Sequence, residues 1–263
     1  MARVLKCKIN YNRPIAQKTY LLGLKTDKKL KLIPGQFFMV RVKDGLDPFL
    51  ARPLAWFNYL ERKNLIELVY QVVGRGTSVL SERKAGENIT ILGPLGKGFD
   101  LKKVSGKTML VGGGVGIPGL WNFCRRFSEK RGCDLTLVWG AKTKNLFFLR
   151  SRIPKGIRFI PVTEDGSLGR KGLATDIVLE IIEQDGKPDS LFGCGPKAML
   201  KKLAEICRAH RIPGEVLFEE RMACGVGACL GCAVPASGGG YLRCCQEGPA
   251  FGFEEIDWER VRW

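Results

Sequence analysis

The sequence has 263 residues, of which 43 are lysine or arginine and 26 are aspartate or glutamate, giving a formal net charge of +17. At roughly 100–200 residues per domain, this length accommodates one large domain or a few smaller ones. An apolar fraction of 45% excludes a disordered chain. Because there is no apolar stretch of about 20 residues and no signal-peptide core at the start, we expect a cytoplasmic protein with no membrane span.

The positive charge is distributed unevenly along the chain. Residues 1–100 have 18 basic and 8 acidic side chains, residues 101–215 have 21 and 11, and residues 216–263 have 4 and 7. The longest basic runs are pairs such as Lys28-Lys29, whereas a nucleic-acid-binding tail would be a dense basic block. Solvated surface is the favoured interpretation, and we expect no nucleic-acid partner.

The chain has ten cysteines and a single histidine. Five of the cysteines lie between Cys224 and Cys245, and this clustering favours metal binding over a disulfide scaffold. His210 stands near the end of a predicted helix, where a cap or surface position is favoured. We therefore expect no histidine acid–base catalysis, whereas hydride and electron transfer remain open because a bound cofactor supplies that chemistry.

The first hundred residues predict β structure. Turn signals separate short apolar or alternating runs, namely TYLLGLKT, QFFMVRV, LIELVYQVV and NITILGP. The segment GTSVLSERK is the one candidate helix. Strands at this spacing predict a small antiparallel barrel.

From Lys107 the pattern changes to alternating strands and helices. In chain order it predicts strand KTMLVGG, helix IPGLWNFCRRFSEKR, strand DLTLVWGA, short helix NLFFLRSRI, strand IRFIPVTE, helix LATDIVLEIIEQ, strand DSLFGCG, helix PKAMLKKLAEICRAH and strand EVLFEE. This alternation is typical of βαβ units in a parallel sheet. We therefore predict a barrel domain at 1–100, an α/β domain at 101–215 and a small Gly- and Cys-rich domain at 216–263.

The C-terminal cysteines have the spacing of an iron–sulfur site. Cys224, Cys229 and Cys232 form a C-x4-C-x2-C run, and Cys244 and Cys245 follow about a dozen residues later. This is the plant-type ferredoxin pattern for a [2Fe–2S] cluster, in which four thiolates hold two irons. Zinc is less favoured, because its structural sites prefer two C-x2-C pairs and only one is present.

A glycine-rich loop follows the first strand of the α/β region. In GGGVGIPGL, Gly114, Gly116 and Gly119 match G-x-G-x-x-G between a strand and a helix, which favours a nucleotide site over a turn without ligand. The next strand ends without an acidic residue, so a standard Rossmann dehydrogenase is not expected. Lys142 and Lys144 beyond that strand are open to two interpretations, a 2′-phosphate contact or solvated surface, and NAD versus NADP stays undecided.

A second loop, GCGP, spans residues 193–196 at the end of a predicted strand. Pro196 is expected at the first position of the following helix. Because ligands of open α/β sheets bind at the carboxyl ends of the strands, we expect both loops to line one crevice.

Taken together, these motifs resemble a known family. A barrel followed by a nucleotide domain with GGGVGI and GCGP is similar to the ferredoxin–NADP reductase superfamily. The motifs ERMACGVGACLGC and CQEGPAF resemble the electron-transfer subunits of type B, NAD-dependent dihydroorotate dehydrogenase, over essentially the whole chain. A related reductase subunit of bifurcating complexes has aspartate in place of Cys224, which favours the dihydroorotate family.

The resemblance implies FAD, a [2Fe–2S] cluster and NAD as cofactors. It implies that Arg52 pairs a pyrophosphate oxygen of FAD, and that Ala55 replaces the usual serine, so that a hydroxyl bond to the flavin is lost. The implied FAD-binding residues are Arg52, Pro53, Leu54, Ala55, Val69, Tyr70, Gln71, Gly76 and Thr77. The implied NAD-binding residues are Gly113, Gly114, Gly116, Gly193, Cys194, Gly195 and Pro196, with Cys194 as a candidate nicotinamide contact. The implied metal ligands are Cys224, Cys229, Cys232 and Cys245, with Cys244 as a spare.

The resemblance also implies a function in pyrimidine biosynthesis. Electrons from dihydroorotate would pass from the FMN of a catalytic subunit, in a heterotetramer of two plus two, through the cluster and FAD to NAD⁺. Two alternatives stay open: a reductase subunit of a sulfide dehydrogenase or bifurcating transhydrogenase, and a basic nucleic-acid-binding protein with structural zinc. The aromatic tail residues Phe251, Phe253, Trp258 and Trp263 either form a partner interface or pack within their own domain.

Overall fold

The computed structural model describes residues 2–128 and 132–262 of the chain. Its first part contains β1 (Arg3–Ala16), β2 (Thr19–Lys25), β3 (Phe37–Arg41), β4 (Arg52–Leu60), β5 (Leu65–Gln71), α1 (Arg75–Glu82) and β6 (Asn88–Leu95). The six strands form a closed antiparallel barrel in the order β1-β2-β5-β4-β3-β6. The predicted barrel is therefore confirmed, and α1 confirms the candidate helix.

Strand β4 is not among the predicted runs, and neither is strand β1. In its first half Leu5, Cys7 and Ile9 are buried in the barrel and alternate with exposed lysines. Its second half contains Pro14 and no fully buried residue. The apolar signal is too sparse to predict this strand, and its pairing with β2 and β6 stabilises it instead.

The second part is a seven-stranded sheet. Its elements are β7 (Gly106–Gly113), α2 (Ile117–Phe127), β8 (Cys133–Ala141), β9 (Arg158–Thr163), β10 (Arg170–Lys171), α3 (Ala174–Asp185), β11 (Ser190–Cys194), α4 (Lys197–His210) and β12 (Gly214–Leu217). The order β10-β9-β8-β7-β11-β12 is parallel throughout. Met109 and Val111 of β7 pack in the core with α3 and α4, whereas Leu110 between them packs with α2, so helices cover both faces.

Two predicted helices differ from the structure. The prediction for α2 extends to Arg131, but α2 ends at Phe127, and residues 129–131 lie outside the described residues. The short helix predicted for NLFFLRSRI is wrong, because two separate 3₁₀ turns flank an extended Phe147. Phe147 and Phe148 both pack on Trp139, at ring-centroid distances of 4.7 and 5.1 Å. Burying both neighbouring rings against one indole favours the irregular backbone.

The C-terminal segment is joined to the sheet. It contains the hairpin of β13 (Ala233–Pro235) and β14 (Tyr241–Arg243), and then β15 (Ala250–Gly252). Strand β15 pairs antiparallel with β12, and the predicted domain limit after residue 215 falls inside β12. Phe251, Phe253 and Trp258 are buried, so an interface role for these three is wrong and they pack within the chain. Trp263 lies outside the described residues.

Polar contacts join the barrel to the α/β part. The Glu67 carboxylate of β5 is 2% exposed. It accepts hydrogen bonds from Tyr11 Oη and Asn58 Nδ2, both at 2.6 Å, and from Arg152 Nη1 at 3.1 Å. Asn122 of α2 donates to the barrel carbonyl of Phe57 at 2.7 Å. These bonds fix the orientation of the two parts.

Within residues 2–128 and 132–262, no helix combines the length and the apolar character needed to cross a membrane.

Candidate functional site

A cleft of about 450 Å³ opens between the barrel and the parallel sheet. One wall is formed by β4, β5 and the start of α1, and the other by the loop after β7 and residues 217–222. All the predicted FAD residues line it: Arg52, Pro53, Leu54, Ala55, Val69, Tyr70, Gln71, Gly76 and Thr77. Residues 52–55 and 69–71 come together here because β4 and β5 are neighbours in the barrel.

Arg52 lies against the first turn of α1. A Cβ atom at Gly76 would lie 2.1 Å from Arg52 Nε, so the guanidinium reaches this turn only because residue 76 is glycine. Thr77 Oγ1 accepts from the Gly74 N–H at 3.3 Å and holds the turn in place. The first N–H groups of a helix lack intrahelical partners. A guanidinium and a helix N-terminus therefore converge, and both suit a phosphate group.

The cleft wall around Tyr70 is neutral. The Tyr70 ring stacks on Tyr20 at 5.6 Å, and its hydroxyl donates to Asn12 Oδ1 at 2.9 Å. Burial raises the pKa of the Tyr70 hydroxyl, so it keeps its proton at neutral pH. Ala55 lines the same cleft, and its side chain is only a methyl group.

A second cleft, of about 890 Å³, lies at the carboxyl ends of the parallel strands. The predicted residues Gly113, Gly114, Gly116, Gly195 and Pro196 line it. Gly193 is not among its lining residues, because it is buried within β11, where an added Cβ would meet Leu203 at 3.0 Å and Val216 at 3.2 Å. Pro196 is the N-cap of α4 rather than its first residue.

The two glycine loops contact each other through their backbones. A Cβ at Gly116 would lie 2.7 Å from the carbonyl oxygen of Cys194, and one at Gly113 would lie 2.7 Å from Pro196 Cδ. Trp139 Nε1 donates to the Gly114 carbonyl at 3.0 Å and holds the first loop. The crevice predicted between the two loops is therefore present.

Side chains of opposite charge line this cleft beyond the glycine loops. Lys142 follows β8, Glu164 follows β9, and both side chains line the cleft. Lys144 is not a lining residue, and its N–H donates to Ser167 Oγ at 2.8 Å.

The two clefts open into each other. Gln71, Val115, Gly116 and Glu219 line both, and Cys194 lies in the flavin-side wall. Burial raises the pKa of the Cys194 thiol well above its usual value, and the nearby Glu219 raises it further. Sequence reasoning missed Glu219, although an acidic residue just after an apolar strand of a parallel sheet is a usable signal.

The predicted metal ligands form two pairs of thiols. Cys232 Sγ and Cys245 Sγ are 3.4 Å apart, forming the inner pair, which is buried. Cys224 is hydrogen-bonded to the Cys229 thiol, forming the outer pair, which reaches the surface. In residues 2–128 and 132–262, no three side chains of metal-binding type converge on one point. Two pairs match the division of four thiolates between two irons in a [2Fe–2S] cluster.

Backbone N–H groups surround these thiols. The N–H of Gly227 lies 3.1 Å from Cys245 Sγ, and that of Val226 lies 3.4 Å from Cys224 Sγ. Burial acts to raise the pKa of Cys224, but the backbone donors outweigh it and lower the pKa to about 6. Gly227 has φ +81°, a left-handed conformation that favours glycine. The backbone donors therefore stabilise the thiolate of Cys224, whereas burial raises the pKa of Cys245 to about 12.

Comparisons with known families agree with this architecture. Residues 6–99 match the family described as oxidoreductase FAD-binding domain, and residues 219–257 match the iron–sulfur cluster binding domain of dihydroorotate dehydrogenase B. Among solved structures, a chain of an NADH-dependent reduced ferredoxin-NADP oxidoreductase is 28% identical, with a TM-score of 0.84, and the match covers 97% of this chain and 91% of that one. A ferredoxin-NADP⁺ reductase from Neisseria gonorrhoeae with bound FAD and NADP shares the fold, with 16% identity, a TM-score of 0.65, and coverage of 80% of this chain and 92% of that one.

The fold and the site therefore define a flavin- and iron–sulfur-binding oxidoreductase of the ferredoxin reductase type. Three relatives share the name dihydroorotate dehydrogenase B (NAD⁺), electron transfer subunit. The protein of Caldanaerobacter subterraneus is 39% identical (96% of this chain, 98% of the relative), that of Geobacillus thermodenitrificans 37% (93% and 95%), and that of Desulforamulus reducens 34% (98% and 100%). The chain belongs to the family of dihydroorotate dehydrogenase B electron transfer subunits.

Proposed function

We propose that this chain receives electrons from a catalytic subunit that oxidises dihydroorotate and delivers them to NAD⁺. The observation that carries the proposal is one continuous route through the chain. The nucleotide cleft opens into the flavin cleft at Gln71, Gly116 and Glu219, and residues 219–222 lead from the flavin cleft to Cys224. Bound FAD and a [2Fe–2S] cluster would supply hydride and single-electron chemistry at the two ends of that route.

The chain's own residues hold each group in place. Arg52 and the first turn of α1 would bind the phosphates of FAD, and Ala55 in the same cleft would contact its ring. Gly116 and the Cys194-Gly195 turn would hold the nicotinamide next to the flavin cleft. At this junction Cys194 stays a neutral thiol, because its pKa is raised.

Contact between the cysteine loop and the barrel supports close placement of the cluster and the flavin. Gly225 has φ +72°, and an added Cβ there would lie 2.6 Å from Met39 Cγ and 3.1 Å from Leu95 Cδ1. Met222, just before the loop, lines the flavin cleft. Within the outer thiol pair, Cys224 is half-buried and Cys229 is exposed.

Oxidation of dihydroorotate is assigned to the partner. This reaction removes a proton as well as electrons and therefore needs a positioned base. The single histidine of the sequence, His210, is the last residue of α4 and lines neither cleft. We further propose that the partner carries FMN and that two copies of each subunit form a heterotetramer.

We propose that the partner docks over the outer thiol pair. Val226 and Leu230 flank Cys229 and are 46% and 62% exposed. Apolar side chains beside an exposed thiol pair suit a desolvated contact through which electrons leave. The family name implies a catalytic partner, and this surface is where we place it.

Anaerobic reduction tests the proposed function. We expect NADH to bleach both the flavin and the iron–sulfur absorption of the purified chain, and dihydroorotate to do so only when the FMN-containing catalytic subunit from the same genome is added. The control is dihydroorotate with the chain alone. A colourless zinc-loaded protein would contradict the proposal, as would a chain that stays oxidised with dihydroorotate and the catalytic subunit.

A further inference from the structure

Arg243 is held firmly on the turn that carries Cys245. Its Nε donates to Glu247 Oε2 at 3.0 Å and its Nη2 to Glu247 Oε1 at 2.5 Å, a two-point ion pair. Glu247 Oε2 also accepts the backbone N–H of Arg243 at 2.7 Å. The carbonyl of Arg243 in turn accepts the N–H groups of Gln246 and Glu247, both at 2.9 Å. The side chain and the turn therefore form one rigid unit.

From this turn Arg243 reaches across to the cysteine loop. Its Nη1 donates to the carbonyl of Gly227 at 3.2 Å. The N–H of the same Gly227 points at Cys245 Sγ at 3.1 Å. A Cβ at Gly227 would lie 2.6 Å from Gln246 Cγ and 3.2 Å from Arg243 Nη1, so the loop and the turn are in close contact. One arginine therefore ties together the two segments that supply the inner thiol pair.

The charge of Arg243 faces the inner pair. A single residue, Gly227, lies between Arg243 Nη1 and Cys245 Sγ, and Arg243 precedes Cys245 by two positions on the same turn. At this separation the cation would attract negative charge on the sulfurs of the cluster. A cluster gains one negative charge when it is reduced, and a nearby cation favours that state. The Glu247 carboxylate favours the opposite state.

We propose that Arg243 is a positioning residue that raises the reduction potential of the iron–sulfur cluster, and that Glu247 limits this increase. The proposal rests on the proposed function only in requiring a [2Fe–2S] cluster on Cys224, Cys229, Cys232 and Cys245. It goes beyond that function by assigning the cluster's energetics to two residues that bind no iron. Arg243 and Glu247 are 36% and 31% exposed, so high ionic strength should reduce both contributions.

Potentiometric titration followed by electron paramagnetic resonance tests the proposal without NADH, dihydroorotate or partner. We expect Arg243→Gln to shift the midpoint potential of the cluster to a more negative value and Glu247→Gln to shift it to a more positive one. Arg243→Lys keeps the charge and should lie between the wild type and Arg243→Gln. Arg260→Gln is the matched control, because this half-exposed arginine of the same segment contacts Tyr241 and should leave the potential unchanged.

Opposite shifts in the two glutamine variants are the critical result. A purely structural role for the pair predicts shifts in the same direction, and that result, or no shift in either variant, would overturn the proposal. If Arg243→Gln assembles no cluster, the other two variants test the proposal. Glu247→Gln should then shift the midpoint potential to a more positive value, and Arg243→Lys should shift it to a more negative one. A wild-type chain without a [2Fe–2S] signal would overturn the proposed function together with this inference, whereas wrong shifts on an intact signal would overturn the inference alone.

Discussion

Cys244 and Cys245 are adjacent in the sequence but differ in their surroundings. Cys245 Sγ lies 3.4 Å from Cys232 Sγ and accepts the N–H of Gly227. Cys244 is completely buried, and its own N–H donates to the Cys232 carbonyl at 3.0 Å. Both side chains are buried, and the contact between the Cys245 and Cys232 sulfurs supports the proposal that Cys245 is the fourth ligand.

Replacing each of these cysteines by alanine separates the two roles. We expect Cys245→Ala to lose the cluster, with bound iron falling from about two per chain to near zero. Cys244→Ala should keep its iron and lose about 1 kcal/mol of stability from the small cavity. Iron assay and urea unfolding are the measurements. Loss of iron in Cys244→Ala with retention in Cys245→Ala would reverse the assignment.

Single residues differ in how far the sequence predicts them. The C-x4-C-x2-C spacing indicates Cys224, Cys229 and Cys232 because one short loop holds all three. Spacing does not distinguish Cys244 from Cys245, and that assignment came from family resemblance alone. Gly193 belongs to the GCGP motif but lies inside β11. The motif does not indicate which of its residues reach the cleft and which stay buried in the strand.

At the scale of elements, the two glycine loops act as one unit. The loop between β7 and α2 and the loop between β11 and α4 touch because β7 and β11 are neighbours in the sheet. The contact is between backbone atoms, which cannot rotate away as a side chain can. Any added atom at this contact must therefore separate the loops.

Gly116→Ala tests this contact. Its Cβ would lie 2.7 Å from the Cys194 carbonyl oxygen, so we expect weaker NADH binding by about tenfold and a stability loss of about 1–3 kcal/mol. Calorimetric titration with NADH and thermal unfolding are the measurements. Gly238→Ala is the control, because nothing lies within 4 Å of a Cβ there. Unchanged affinity and unchanged stability in Gly116→Ala would contradict the contact.

Element prediction succeeded where the apolar periodicity is strong. The alternation of strands and helices from Lys107 onward predicted β7, β8, β9, α3, β11, α4 and β12, and it predicted α2 as far as Phe127. In the first hundred residues the pattern did not predict β1, whose apolar residues are few. At residues 145–153 the predicted helix is wrong, because packing of two rings on Trp139 overrides a helical pattern. In both places contacts with other elements decide the structure: β2 and β6 for β1, and Trp139 of β8 for residues 145–153.

At the scale of the whole molecule, Glu67 joins the two large parts. Burial acts to raise the pKa of its carboxyl, but hydrogen bonds from Tyr11 and Asn58 and the charge of Arg152 outweigh burial and lower it. A lowered carboxyl pKa stabilises the fold above the unfolded-state pKa, and this stabilisation is lost as the pH falls through the folded-state value.

We expect Glu67→Gln to lose about 1–3 kcal/mol at pH 7, because it removes a buried, multiply bonded carboxylate. The difference from wild type should shrink below about pH 4.5, the usual value for this group. Urea unfolding at pH 7 and pH 4 measures it. Glu180→Gln is the control, since its ion pair with Arg170 is exposed and should contribute well under about 1 kcal/mol. A loss independent of pH would contradict the argument.

Domain organisation was predictable only in part. Composition and periodicity separate the barrel, the α/β region and the cysteine segment, because each has its own pattern. They do not predict that β15 returns to the sheet, since three residues carry too little signal to indicate pairing with β12. We retain 1–100, 101–215 and 216–263 as proposed domain limits, with the last two parts sharing one sheet.

The two edge strands of that sheet limit how other chains can associate with it. One edge strand, β10, has only two residues, both basic, and the other, β15, has only three. Short or charged edge strands offer little template for another chain to add a strand. Association of this chain with other proteins should therefore proceed through side-chain surfaces, leaving intermolecular sheet extension, and the fibrous aggregation it begins, disfavoured.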